Sequence, residues 1–176
     1  MADLATDKLK KLLARDDQYD RFKDIVKKYS MHAELESLVE EVFTLHRTRK
    51  TRKLHSIKPN PRDVIDASLE DSSYRSRAVE ILMRMMRSQR AIQRAIDNIS
   101  GYILTQYGDY IEGRTKAERE RAIRNVNTRA IFYLDELESA IEVLREFIVD
   151  CDKAGYAVKS AIEGLKIVYG RENVVS

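Results

Sequence analysis

The sequence predicts an all-α protein: a long antiparallel helical hairpin with shorter N-terminal helices, oligomerising through a heptad-patterned C-terminal helix. Three observations carry that expectation. Helix breakers are scarce, with 6 Gly and 2 Pro in 176 residues, against a background rich in Ala, Leu, Ile, Glu, Lys and Arg. Apolar residues recur at spacings of three and four almost throughout, and no run of any length alternates as a strand does. Two runs keep that spacing for many turns, long enough to pair with each other.

Leu4, Leu9, Leu12 and Leu13 mark a short first helix, and Tyr19, Phe22, Ile25, Val26 and Tyr29 a second. Leu35, Leu38, Val39, Val42 and Leu45 give a third that runs into a basic stretch. Pro59 and Pro61 forbid a helix interior across residues 55–62. Asn60 as N-cap, Pro61 in the first turn and Asp63 behind it then start the next helix. Its pattern is ambiguous around Asp71-Ser72-Ser73, which resembles a helix end, and strong from there to about Tyr110. Ala78, Leu82, Met85, Gln89, Ile92, Ile96, Ile99 and Ile103 form an a/d seam with one polar entry, Gln89.

Gly113 breaks that helix, and Thr115-Lys116-Ala117-Glu118 matches a capping box. The most regular run follows, from Ile123 and Asn127 through Cys151 and Gly155 to Tyr169. Gly155 is expected to kink this helix or to allow close packing, and RENVVS reads as a tail. The chain thus divides into residues 1–60, a helical region ending in a basic segment, and residues 61–176, the hairpin. Phe132, Tyr133, Phe147 and Tyr156 lie off the main seam. Two helices cannot bury both sets, so the surplus predicts self-association. Leu134, Leu137, Ile141, Leu144, Ile148, Val158, Ile162 and Leu165 are the expected oligomerisation residues.

Enzyme readings find little support. His32, His46 and His55 stand at spacings that fit no metal motif. Cys151, the single cysteine, falls on a seam position and reads as a buried structural thiol. The glycines are scattered and form no phosphate loop. No paired carboxylates mark a di-metal bundle. No catalytic residue, metal or cofactor is therefore expected. One cysteine excludes an internal disulfide framework and fits a reducing compartment. MADLATDKLKKLL lacks the apolar core of a signal peptide, and no stretch approaches the roughly 20 apolar residues of a membrane span. The expectation is a soluble cytoplasmic protein with no membrane partner.

Charge is the strongest functional signal. The net charge of +3 is modest, but its distribution is not even. Residues 46–62, HRTRKTRKLHSIKPNPR, carry Arg47, Arg49, Lys50, Arg52, Lys53, Lys58 and Arg62 with no acid among them. A cationic stretch of this density suits phosphates, with Thr48, Thr51 and Ser56 as further donors and His55 as a weak aromatic contact. A second feature is a stripe, Arg84, Arg87, Arg90 and Arg94, on one face of the long helix, with no acid between Ile81 and Ile96. Arg75 and Arg77 precede it. Such a stripe follows a nucleic-acid backbone or pairs with acidic helices, and both readings stay open. The candidates for pairing are Asp135, Glu136, Glu138, Glu142, Glu146, Asp150, Asp152 and Glu163 on the last helix. No base-reading motif occurs, so backbone binding without sequence preference is the natural expectation.

The string Gly155-Tyr156-Ala157-Val158-Lys159, after LREFIVDCDKA, resembles the C-terminal helix of the phage recombination mediators of the UvsY type. The Lys/Arg-rich helix well upstream of it is similarly placed. The likeness covers about a quarter of the chain, and residues 63–130 have no counterpart. It implies a small helical protein without catalytic residues that forms ring-like homo-oligomers and binds single-stranded DNA through a basic N-terminal region. Such a mediator helps load a recombinase on strands coated by single-strand-binding protein, in the host cytoplasm if phage-encoded. By regional placement it assigns DNA contact to Arg49, Lys50, Arg52 and Lys53. The competing reading is a helical scaffold or assembly protein, phage structural or chaperone-like, acting through protein–protein contacts.

Overall fold

The structure is a computed structural model that describes residues 2–30, 32–49, 61–111 and 115–172; within these, the side chains of 2–6, 32, 33, 61, 165 and 168–172 are not described. Among the described residues six α-helices run in order: α1 Ala2–Leu13, α2 Asp17–Tyr29, α3 His32–Thr48, α4 Pro61–Tyr107, α5 Lys116–Val126 and α6 Thr128–Glu172, with a 3₁₀ turn at Gly108–Tyr110 after α4. No strand occurs among the described residues. The fold is the expected one: α4 packs against α6 in a hairpin, accompanied by shorter N-terminal helices. No helix among the described residues is long and apolar enough to cross a membrane.

The helix starts obey local chemistry. Asp16 caps α2, its Oδ1 accepting from the Tyr19 amide at 2.9 Å. Thr115 and Glu118 close the capping box of α5, with bonds of 3.2 and 3.1 Å. Pro61 opens α4 as expected; the proposed cap Asn60, the break at Gly113 and the tail from residue 173 lie outside the described residues.

Two compact units emerge, and neither follows the division at residue 60. The first is Met1–Glu34 with Met85–Ser139; the second is Leu35–Arg84 with Ala140–Ser176. Each takes N-terminal helix, a part of α4 and a part of α6.

In the first unit the core is built on Leu9, Leu13 and Phe22 from α1 and α2, Met85, Ile92, Ile99 and Ile103 from α4, and Tyr133 and Leu137 from α6. The seam on α4 uses Ser88, which is buried, where Gln89 was expected; Gln89 is half-buried. Asp16 also joins elements. Its Oδ2 accepts from the Tyr102 hydroxyl at 2.8 Å and from Tyr107 at 2.5 Å, so the cap of α2 is tied to the end of α4. Tyr19 donates to the Val126 carbonyl at 3.2 Å, joining α2 to the end of α5. The single helix expected from Ile123 onward is interrupted at Asn127, whose amide reaches back to both Ile123 and Arg124 while its carbonyl accepts from Ile131.

In the second unit Leu38 and Val42 of α3, Val64, Ala67, Ala78 and Ile81 of α4, and Ile141, Leu144, Phe147, Cys151 and Val158 of α6 are buried. Helix α4 passes through Asp71-Ser72-Ser73 without a break. Asp71 sits on the buried seam, and Arg49 neutralises it there.

The seam of α6 is spent within the chain. Leu137, Ile141 and Leu144 are at most 1 % exposed, Val158 is buried, and Leu134, Ile148 and Ile162 are half-buried. Of the residues expected to hold copies together, Leu137, Ile141, Leu144 and Val158 are part of the core, while Leu134, Ile148 and Ile162 are only partly covered; the Leu165 side chain is not described. Tyr133 and Phe147, expected as surplus, are buried too, and Phe147 stacks edge-on against His46 of α3 at 5.9 Å. Phe132 and Tyr156 do stay exposed, at 62 % and 73 %.

Gly155 does not interrupt α6, nor does it serve a close approach. The helix continues through it, and a Cβ there would meet nothing within 4 Å. Replacing Gly155 by Ala is therefore expected to stabilise the second unit by about 0.5–1 kcal/mol, through the lower entropy of the unfolded chain. A urea midpoint that falls in the variant would contradict this.

Candidate nucleic-acid interface

The basic stretch begins on the last turn of α3. Arg47 is exposed and faces Glu40 at a loose 3.9 Å, a pair worth about 0–1 kcal/mol. The Thr48 hydroxyl donates back to the Thr44 and Leu45 carbonyls at 2.9 and 3.2 Å, so its proton is used by the helix.

Arg49 does not belong to the surface. It is 1 % exposed. Its Nε and one terminal nitrogen grip both oxygens of Asp71 at 3.0 and 2.8 Å, and the other terminal nitrogen reaches Asp150 at 2.9 Å. Its guanidinium carbon lies 5.7 Å from the centre of the Phe147 ring. The hydrogen bonds it donates to Asp71 raise its pKa despite burial, so it stays charged. The expected phosphate contact at Arg49 is corrected: a planar fork that joins two carboxylates in a dry site has no face left for a ligand. Lys50, Arg52, Lys53, His55 and Lys58, with Thr51 and Ser56, lie outside the described residues. Arg62 is exposed on the first turn of α4 and already engaged by a neighbour.

The arginines of α4 separate into two groups. Arg75 clips Asp152 of α6 at 2.6 Å, and Arg77 bridges Glu41 of α3 and Glu80 at 2.8 and 2.9 Å. Donation from Arg77 outweighs partial burial and holds the Glu41 carboxyl below its usual range. Arg84 is exposed but engaged. Arg87, Arg90 and Arg94, all in the first unit, are exposed, and no ion pair among the described residues involves them. At 100° and 1.5 Å per residue they span an arc of about 60° and a length of about 10 Å. Two of the eight expected acidic partners of the stripe are taken up in the second unit instead: Asp150 by Arg49 and His46, Asp152 by Arg75.

His46 lies 3.3 Å from Asp150 as part of the Arg49 cluster. Burial pushes the Cys151 thiol up to about 11, so it is protonated and inert at neutral pH. Among the described residues, no group of three or more His, Cys, Asp or Glu side chains converges as metal ligands would.

A second basic surface was not legible as such. Between α2 and the α5–α6 junction of the first unit runs a cleft of about 1180 Å³. Tyr19, Phe22, Val26 and Phe132 line it, Lys10, Lys27 and Arg129 stand in its wall, and no carboxylate among the described residues does. Asn127 belongs to its lining. That residue is 2 % exposed, and neither its Oδ1 nor its Nδ2 has a hydrogen-bond partner. A buried unpaired amide costs about 1–3 kcal/mol. The one signal in the sequence was an Asn on an otherwise apolar seam.

The class these observations define is an all-helical protein with an unpaired arginine face and a cation-rimmed cleft. No protein-family model matches the chain, and no characterised protein or solved structure is significantly similar to it.

Proposed function

We propose that this chain is a non-enzymatic binder of single-stranded nucleic acid, with DNA favoured, acting as a recombination mediator. One observation carries the binding: Arg87, Arg90 and Arg94 share an exposed helix face, with no acid between Ile81 and Ile96 and no ion pair of their own among the described residues. Cations left unpaired on a protein rich in Glu and Asp are available for phosphates. Arg47, in the second unit, and the basic residues that follow Arg49 in the sequence would be a separate source of cations. The mediator role, with a recombinase and a single-strand-binding protein as partners and a ring-like homo-oligomer as the working form, follows from the resemblance of residues 155–159. Since the α6 seam is internal, self-association would use the exposed apolar side chains instead.

The test is fluorescence anisotropy with a labelled oligothymidine over a salt series. The change Arg87→Ala/Arg90→Ala/Arg94→Ala is expected to weaken binding and flatten the log–log salt slope by about 2, since each phosphate no longer neutralised removes about 0.7. Lys50→Ala/Arg52→Ala/Lys53→Ala probes the other segment; Arg49 is left out because its loss damages the fold. Binding indifferent to both triple changes would sink the proposal.

The exposed apolar side chains of the second unit, Ile65 at 50 %, Leu69 at 66 %, Met83 at 63 % and Tyr156 at 73 %, favour a second reading, a scaffold acting through protein contacts. It gains if no strand binds at low salt.

A further inference from the structure

We propose that the cleft beside Asn127 takes up a base of the bound single strand, with the Asn127 amide paired to the base edge. The inference rests on the single-strand reading above and gives it a base-contacting pocket. Asn127 is the starting point: both polar atoms of a buried amide lack a partner, whereas buried polar groups are nearly always paired. It lies in the lining of a cleft, so a ligand entering there meets it after rotation of the Asn127 side chain. An amide offers a donor and an acceptor side by side, which is the pattern that pairs with adenine N6 and N7.

The rest of the cleft suits the same ligand. Phe132 is 62 % exposed in its wall, as a stacking platform requires. Tyr19 and Phe22 stand with ring centres 5.6 Å apart on the α2 side. Lys10, Lys27 and Arg129 carry positive charge along the wall with no ion pair among the described residues, while Lys23 is held by Asp20 at 2.6 Å. Apolar and aromatic walls, an amide at the base and cations around them match a base on a phosphate chain. A ligand that is apolar throughout would leave the amide unpaired and the cations unused. The volume of about 1180 Å³ leaves room for the flanking sugar and phosphates.

The experiment uses the full chain and two labelled strands, oligothymidine and the same strand with deoxyadenosine at its centre. The wild type is expected to bind the adenine-containing strand about tenfold more tightly, within the range of a bidentate base contact. Asn127→Leu, which replaces an unpaired amide with an apolar side chain of similar size, should erase that preference, so that the two strands bind alike. Phe132→Ala, at an exposed position, should weaken both strands about tenfold or more. A preference that survives Asn127→Leu, or no preference in the wild type while Arg87→Ala/Arg90→Ala/Arg94→Ala still weakens binding, overturns the pocket and leaves the single-strand reading standing. No binding of either strand overturns both. Calorimetry with adenosine monophosphate separates the source of the base: binding that Asn127→Leu abolishes, in a protein that binds no strand, assigns the cleft to a free nucleotide and overturns the strand as its occupant.

Discussion

Arg49→Ala is expected to lower the stability of the protein by about 3–5 kcal/mol, the usual result of removing one partner of a buried ion pair. The cost comes from what remains. Asp71 is 4 % exposed, and without Arg49 its carboxylate sits charged on an apolar seam, or takes up a proton at its own expense. Asp150 is better placed, because it is half-buried and has His46 at 3.3 Å. The effect should therefore depend on Asp71. The double change Arg49→Ala/Asp71→Ala is expected to cost less than Arg49→Ala alone, since it removes the stranded charge as well. Arg49→Lys should lie between, because an ammonium cannot grip both oxygens of Asp71 while reaching Asp150. Urea unfolding measures all three. A single change costing under about 1 kcal/mol, the range of exposed pairs, would show that the cluster is solvated. The same result explains why an Arg49 variant would mislead a DNA-binding assay: the loss would come from the fold.

The second large effect belongs to Asp16. Asp16→Ala removes a helix cap, worth about 1 kcal/mol, and the shared acceptor of the Tyr102 and Tyr107 hydroxyls, the two bonds together adding about 1–3 kcal/mol at a site reached by solvent. A total of about 2–4 kcal/mol is expected, and Asp16→Asn should recover the cap but not the charge. Burial alone would raise the Asp16 pKa, but donation from Tyr107, from the Tyr19 amide and from Tyr102 outweighs it and holds the carboxyl below its ordinary value. A folded pKa below the unfolded one means that the stabilisation is complete above about pH 4 and is lost as pH falls through the folded value. Tyr107 behaves in the opposite sense. The hydrogen bond to Asp16 pushes its hydroxyl up to about 12, so its contribution is complete below about pH 10 and is lost as pH rises towards that value. The stability difference between wild type and Asp16→Ala should be flat between about pH 5 and pH 9 and shrink outside it. A difference that does not vary with pH would mean that the carboxylate charge has no part in the network.

Much of the fold was legible because local signals agreed with one another. Pro61 starts α4, and Thr115 and Glu118 cap α5. Each is a backbone requirement met by a neighbour a few residues away. The errors share a different origin. Asp71 resembled a stop because a carboxylate on a seam is unfavourable until its partner is known, and that partner is 22 residues away. Arg49 looked like its basic neighbours, since composition cannot show which cation turns inward. Asn127 passed as a seam position because the spacing runs through it, while the helix pauses there.

By itself, the sequence determined that the chain is helical, where most helices start, and which residues prefer to leave water. Those properties depend on intrinsic propensity, capping and periodicity, all carried by neighbours in the chain. Only the tertiary structure decided what each seam and each charge is for. The α6 seam went to the core because the first three helices and α4 supply enough apolar surface to cover it. Arg49, Arg75 and Arg77 went to carboxylates 22 to 101 residues distant or on the next turn of helix, and Arg87, Arg90 and Arg94 stayed open to solvent. Coulomb attraction acts through space, so a cation's partner is set by packing and not by its place in the chain.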